Sequence, residues 1–300
     1  MKIPSTNILK DFVDRVQELD GFEKMVGNLA KRVMCIYGPG GIGKSILLSK
    51  MMEECEKRGM RWNYTEWRDS KHYGYLDLMR KIRNETSPSL FLLFNDRVNF
   101  YMEPQYDLKI QLEGGAIQNV KVLEGGEIQQ SGVTIHVGHK VVITDSEINI
   151  PRPDRNVTDD EMMIELTCAF MPCLQATVRE SPLVIFLDAL EKADEPTKSW
   201  IRDEFLVPIR DEEISNLIVV LASREEIELD PSFFDCTDKY ELRPFQTAHI
   251  QEYLSRRGVE PNETLIDFIF ATTKGNPIEI ATNTNSLLQL RQKRQREANA

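Results

Sequence analysis

The chain of 300 residues is 41% hydrophobic and 28% charged, with a formal net charge of −11. These are the proportions of a globular protein with a sizeable core, and the acidic balance argues against broad, salt-driven binding to nucleic acid. Five cysteines (Cys35, Cys55, Cys168, Cys173 and Cys236) without metal-type pairing argue against a disulfide framework or a thiolate clamp.

In chain order, apolar residues at 12, 16, 19, 22, 25 and 26 have helical spacing and predict a helix on the core. The same leading segment, Phe12-Val13-Asp14-Arg15-Val16-Gln17-Glu18-Leu19, could also lie over a nucleotide base. Residues 33–37 read as a short buried strand. Gly38-Pro39-Gly40-Gly41-Ile42-Gly43-Lys44-Ser45 then fits the phosphate-loop pattern G-x-x-x-x-G-K-[ST] in full. Glycines let the backbone curl its N–H groups toward phosphate oxygens, and the helix opening at Ile46 adds its positive end. In that geometry residues 38–46 cradle phosphate, Lys44 reaches the β- and γ-phosphates, and the Ser45 hydroxyl ligates Mg2+.

The helix over 46–58 stops at Gly59. A second strand is predicted over 61–67 and a second helix over 71–84. Residues 88–150 break this rhythm. Period-two alternation at Leu108, Ile110, Leu112, Val120, Val122, Val133, Ile135, Val137, Val141 and Ile143 predicts β-hairpins. Leu112-Glu-Gly-Gly-Ala-Ile117-Gln recurs as Leu123-Glu-Gly-Gly-Glu-Ile128-Gln, too few copies for a solenoid. This β-rich insertion could dock a protein partner, shield the site, or be a surface ornament. His136 and His139 are three apart, on opposite faces of a strand, so no metal site is expected there. His72 and His249 are isolated.

Residues 151–158 form a linker and 159–179 a helix. The run 183–187 ends in Asp188, a carboxylate suited to hold Mg2+ at the C-terminal edge of a parallel strand. Glu191 is the first candidate to orient a water on the γ-phosphate and accept its proton, and Asp194 the second. A strand over 216–222 leads to Ser223-Arg224, where Arg224 could sense a γ-phosphate through bidentate contacts or serve as a surface arginine. A short fifth strand falls at 239–242, and helices at 246–257 and 264–272. Thr273-Lys274-Gly275-Asn276-Pro277 is a turn into a further helix, with Pro277 in its first turn. The basic stretch 290–297 suits a helix C-terminus or a partner contact. The apolar runs are too short to cross a bilayer, and residues 1–6 contain no apolar signal core. A cytoplasmic protein with no membrane contact is therefore expected.

Together these motifs resemble the STAND class of P-loop NTPases, with NACHT-like features, within the wider AAA+ group. Phe12 to Leu19 resembles the leading motif with Arg and Glu-Leu. Gly38–Ser45 resembles Walker A, and Asp188-Ala189-Leu190-Glu191 the Walker B segment. Ser223-Arg224 is similar to the sensor after strand four. Gly275-Asn276-Pro277 is similar to the Gly-x-Pro turn whose proline touches adenine. Lys192 stands where the pattern often carries a second acid, and the β insertion is not a hallmark of the class.

The resemblance implies an α/β fold: a doubly wound parallel sheet of order 5-1-4-3-2 with a C-terminal helical lid. It also implies ATP and ADP as ligands with Mg2+, slow hydrolysis, and a switch in conformation or homo-oligomeric assembly that signals to a partner. The predicted organisation is a nucleotide-binding domain over 1–87 and 158–244, the insertion over 88–157, and the lid over 245–300. Two alternatives are an AAA+ motor or loader acting on nucleic acid, and a non-hydrolysing nucleotide-binding module.

Overall fold

The computed structural model describes residues 12–67, 74–102 and 158–298, together with the backbone of short strands between 107 and 136. The chain divides into two compact units, Met1–Phe91 with Met171–Ala300, and Leu92–Phe170.

The first unit is built on a five-stranded sheet: β1 (Val33–Tyr37), β2 (Arg61–Glu66), β3 (Leu183–Asp188), β4 (Leu217–Ser223) and β5 (Thr237–Glu241). All neighbours are parallel, in the order 5-1-4-3-2. Every residue of β3 and β4 is buried, because central parallel strands are covered on both faces and so need continuous apolar runs. The outer strands β2 and β5 are only partly buried and carry polar residues, hence their weaker sequence signal.

Helices α1 (Val16–Asn28) and α2 (Lys44–Lys57) cover one face. Phe22, Met25, Leu47, Leu48 and Met51 pack there on Val184, Phe186, Ile218 and Val220. Truncating Phe22, which is fully buried, to Ala would cost about 3–5 kcal/mol. Residues 12–15 are not helical: Asp14 and Arg15 have φ of 65° and 71°, so helix α1 begins later than its periodicity suggests. Helix α3 (Tyr75–Glu85) follows β2.

Helices α4 (Leu92–Met102), α5 (Asp159–Glu180) and α6 (Glu195–Trp200) come between β2 and β4, and after β5 the chain forms α7 (Thr247–Arg256), α8 (Glu263–Thr273) and α9 (Pro277–Ala298). Ile250, Leu254, Val259, Ile269 and Ile280 form their core with Phe245 and with Val13 of the leading segment. The Phe245 N–H donates to the Gly275 carbonyl at 2.8 Å, which fixes the turn before α9.

The second unit corrects one expectation. Residues 92–102, within the stretch read as β-rich, form a helix, α4 (Leu92–Met102). Phe94 and Val98 are buried four residues apart, which is helical spacing. Phe94 meets Phe170 edge-on at 5.3 Å, and Tyr101 donates to Glu165 at 2.6 Å. Glu165 and Phe170 belong to α5 (Asp159–Glu180), whose final part lies in the first unit. The hairpin reading holds farther on. Antiparallel pairs join Asp107–Leu108 to Val120–Lys121, Gln111–Leu112 to Gly115–Ala116, and Glu127–Gln130 to Val133–His136. The alternation read at 137, 141 and 143, His139, the linker 151–157, His72 and residues 6–11 lie outside the described residues.

Candidate nucleotide site

β1 delivers the chain to the glycine loop, and α2 takes it away. Gly43, with φ of 100°, is the residue before α2, so the first N–H groups of that helix point back toward the loop. Gly41 has φ of 79°, and a Cβ there would lie 2.7 Å from the Ile278 Cγ2 methyl. The loop therefore touches the start of α9, and only glycine fits both the torsion and the contact. Lys44 is buried, and its ammonium donates to the carbonyls of Gly38 and, at 3.1 Å, of Pro39. Burial lowers its pKa, while the carboxylates of Glu191 and Asp188 oppose that shift.

Asp188 is the last residue of β3 and is 2% exposed. Its carboxylate accepts from the Tyr64 hydroxyl at 2.9 Å and from the Ala189 N–H at 2.8 Å. The Ser45 hydroxyl lies close enough to help hold its pKa down. Burial raises its pKa, and these hydrogen bonds pull it back down. A buried carboxylate facing a hydroxyl at the mouth of a phosphate loop is a hard oxygen pair that fits Mg2+.

Ala189, with φ of 58°, turns the chain sharply after β3 and sets Glu191 beside the end of β4. Glu191 accepts from the Arg224 backbone N–H through Oε2 at 3.1 Å, and its Oε1 pairs with Arg224 Nε at 3.1 Å. The Arg224 guanidinium lies against Gly40 of the loop. Asp194 is employed otherwise: it precedes α6 (Glu195–Trp200), and its Oδ1 accepts from the Thr197 N–H at 2.9 Å, a helix cap.

The C-terminal helices reach the same place. Asn276 donates from Nδ2 to the Gly40 carbonyl at 3.3 Å, and its Oδ1 accepts from the Ile278 N–H. Pro277 opens α9. A cavity of about 500 Å³ is walled by Ile42–Ile46, Val13 and Arg15, and by Tyr253, Arg257 and Pro277. Arg15 is buried, donates to the carbonyls of Ile42 (3.2 Å) and Arg243 (2.9 Å), and lies over the Phe245 ring. The leading segment is thus held to both the loop and the lid. Tyr64 and Asn276 had no sequence signal of their own. Only the pairing of β2 with β3, and the seating of α9 on the loop, bring them in.

The NB-ARC domain family matches residues 12–95, which span the leading segment, the glycine loop, α2 and β2. That match falls on the fold and sheet order described above. The fold is that of P-loop NTPases, and over residues 12–95 the chain is similar to the NB-ARC family of the STAND class. Among solved structures, the replication initiator DnaA bound to AMPPCP and single-stranded DNA shares this fold. Its TM-score is 0.50 at 13% identity, over 100% of this chain and 71% of that one. AMPPCP-bound DnaA from Aquifex aeolicus has a TM-score of 0.49 at 15% identity, over 99% and 72%. A Signal Transduction ATPase with Numerous Domains (STAND) protein with a tetratricopeptide repeat sensor, from Pyrococcus horikoshii, has 0.40 at 15%, over 89% of this chain and 28% of that one. No curated protein matches the sequence. Among the described residues no helix is long and apolar enough to cross a membrane.

Proposed function

We propose that this chain is a regulatory switch of the STAND class of P-loop NTPases. It binds Mg·ATP between the glycine loop and the C-terminal helices, hydrolyses it slowly, and passes the ATP or ADP state to its homo-oligomeric assembly and a protein partner. The observation that carries this reading is the shared cavity of about 500 Å³, with loop residues on one wall and Pro277, Tyr253 and Arg257 on the other. A ligand spanning both walls binds the closed arrangement better than the open one, and only such discrimination can shift two states.

In this reading residues 38–46 hold the phosphates by backbone N–H groups, and Lys44 leaves its carbonyl partners to meet the β- and γ-phosphates. Ser45 and Asp188 would hold Mg2+, which would supply charge neutralisation at the phosphates. Glu191 orients the attacking water and accepts its proton. Its pairing with Arg224 supports slow turnover, because the base must first be released. Arg224, against Gly40, is placed to respond to a γ-phosphate. Pro277 packs on the base.

The test is the affinity for ATP, ADP and GTP, with and without Mg2+, in the wild type and in Lys44→Ala, followed by size distribution in each nucleotide. Lys44→Ala should weaken ATP binding by about 10- to 100-fold, the loss of charge-assisted hydrogen bonds. One oligomer and one lid conformation in both nucleotides would sink the switch. Salt-dependent binding of single-stranded DNA would instead favour a loader, and no single-turnover hydrolysis a pure binding module.

A further inference from the structure

The edge strand β2 lies beside β3 with Tyr64 opposite Phe186 and Glu66 opposite Asp188. Side chains alternate along a strand, so Trp62, Tyr64 and Glu66 share the face covered by α2. Trp62 and Tyr64 indeed pack on the cluster that contains Leu47, Leu48 and Phe186. The ring of Tyr64 is thereby fixed, and its hydroxyl reaches the end of the sheet. There it sits 2.9 Å from Asp188 Oδ2 and 3.3 Å from Glu66 Oε2. Both neighbours are carboxylates, so the phenol is the donor and has an acceptor on either side.

This grip completes the restraint on Asp188. Its Oδ1 is already held by the N–H of the next residue, Ala189, at 2.8 Å. That single local bond leaves the carboxylate free to rock about it. A second bond to the other oxygen, from a ring packed on a different strand, removes that freedom. The Ser45 hydroxyl lies on the same carboxylate's side of the glycine loop and helps hold its pKa down.

Resting on the nucleotide-site reading above, we propose that Tyr64 is a positioning residue for the divalent cation. Its hydroxyl holds the Asp188 carboxylate turned toward Ser45, so that the metal meets an oxygen pair already aligned. Groups one bond removed from a metal ligand act this way, and losing one costs 10- to 100-fold in metal affinity. The phenol has one proton, and the Asp188 oxygen, at 2.9 Å against 3.3 Å for Glu66, is its nearer acceptor.

The experiment uses the full chain, ADP with a fluorescent label, and Mg2+ as the probe. Tyr64→Phe keeps the ring and removes only the hydroxyl. ADP affinity in EDTA should stay within about twofold of wild type, while the Mg2+ concentration for half-maximal enhancement of ADP binding rises about tenfold. An unchanged Mg2+ requirement, or an equal loss with and without metal, overturns the proposal, the second outcome making Tyr64 a packing residue only. A second measurement needs no deletion. With 3-fluorotyrosine at position 64, the fluorine resonance should move when Mg2+ joins the ADP complex, and a stationary resonance overturns the proposal. A wild-type chain that binds no nucleotide at all would remove the functional reading instead, so the two failures are distinct.

Discussion

Gly41→Ala tests whether the glycine loop and the start of α9 are one mechanical unit. Two penalties act together. The φ of 79° is left-handed, and alanine held there costs about 1–2 kcal/mol. The added Cβ would also lie 2.7 Å from the Ile278 methyl and 3.0 Å from Asn276 Oδ1. Relieving that contact moves Asn276 off the Gly40 carbonyl and forfeits a hydrogen bond worth about 1 kcal/mol. The sum is about 2–3 kcal/mol, or about 30- to 150-fold in the affinity of any ligand that needs the loop and α9 in contact. Gly43 is the matched control. Its φ is 100°, yet nothing lies within 4 Å of its Cβ position, so it carries the torsional strain without the clash. In a titration of labelled ADP, Gly41→Ala should bind about fivefold worse than Gly43→Ala, the share of the contact alone. Adding Ile278→Ala should recover about fivefold in the Gly41 variant and nothing in the Gly43 variant, a coupling expected only of residues in contact. Equal rescue of both, or no difference between the two glycine variants, would refute the contact as the cause.

Glu191→Gln should reduce single-turnover ATP hydrolysis by about 10²-fold with ATP affinity retained, and an unchanged rate would remove Glu191 as the base. Asp194→Ala should lower folding stability by about 1 kcal/mol in urea while leaving that rate alone, since the residue caps α6; a slowed reaction would give it a role in the chemistry. Burial pushes the Cys35 and Cys55 thiols up to about 12, above their ordinary value of 9. Iodoacetamide at pH 8.5 should therefore label the exposed Cys168 and leave these two untouched in the folded protein. The same shift fixes the sign of a pH effect. Both thiols are neutral when folded and ionise more readily when unfolded, so their contribution is complete below about pH 9 and is lost as pH rises toward 12. A urea midpoint that stays constant from pH 9 to 11 would contradict it.

The residues most easily placed from sequence were those whose role is written in adjacent positions. The glycine loop has a fixed spacing, and β3 and β4 are continuous apolar runs because both their faces are covered. The amphipathic α4 was harder. Its apolar residues Leu92, Leu93, Phe94, Val98 and Phe100 are not clean in either period, so the helix was read with the alternation that follows it. Strand β5, Thr-Asp-Lys-Tyr-Glu, carries almost no apolar signal, since an edge strand is covered less.

From the sequence alone came the glycine loop, the strand ending in Asp188 and the alternation of strand and helix, because each is encoded by neighbours along the chain. The tertiary structure alone decided which distant groups share a site. Tyr64 meets Asp188 across 124 residues, and Asn276 meets Gly40 across 236. Those meetings follow from the order 5-1-4-3-2, which sets β3 between β4 and β2 and carries the C-terminal helices back over the loop. Local spacing cannot encode that arrangement, since it arises from how buried faces fit together once every element has formed.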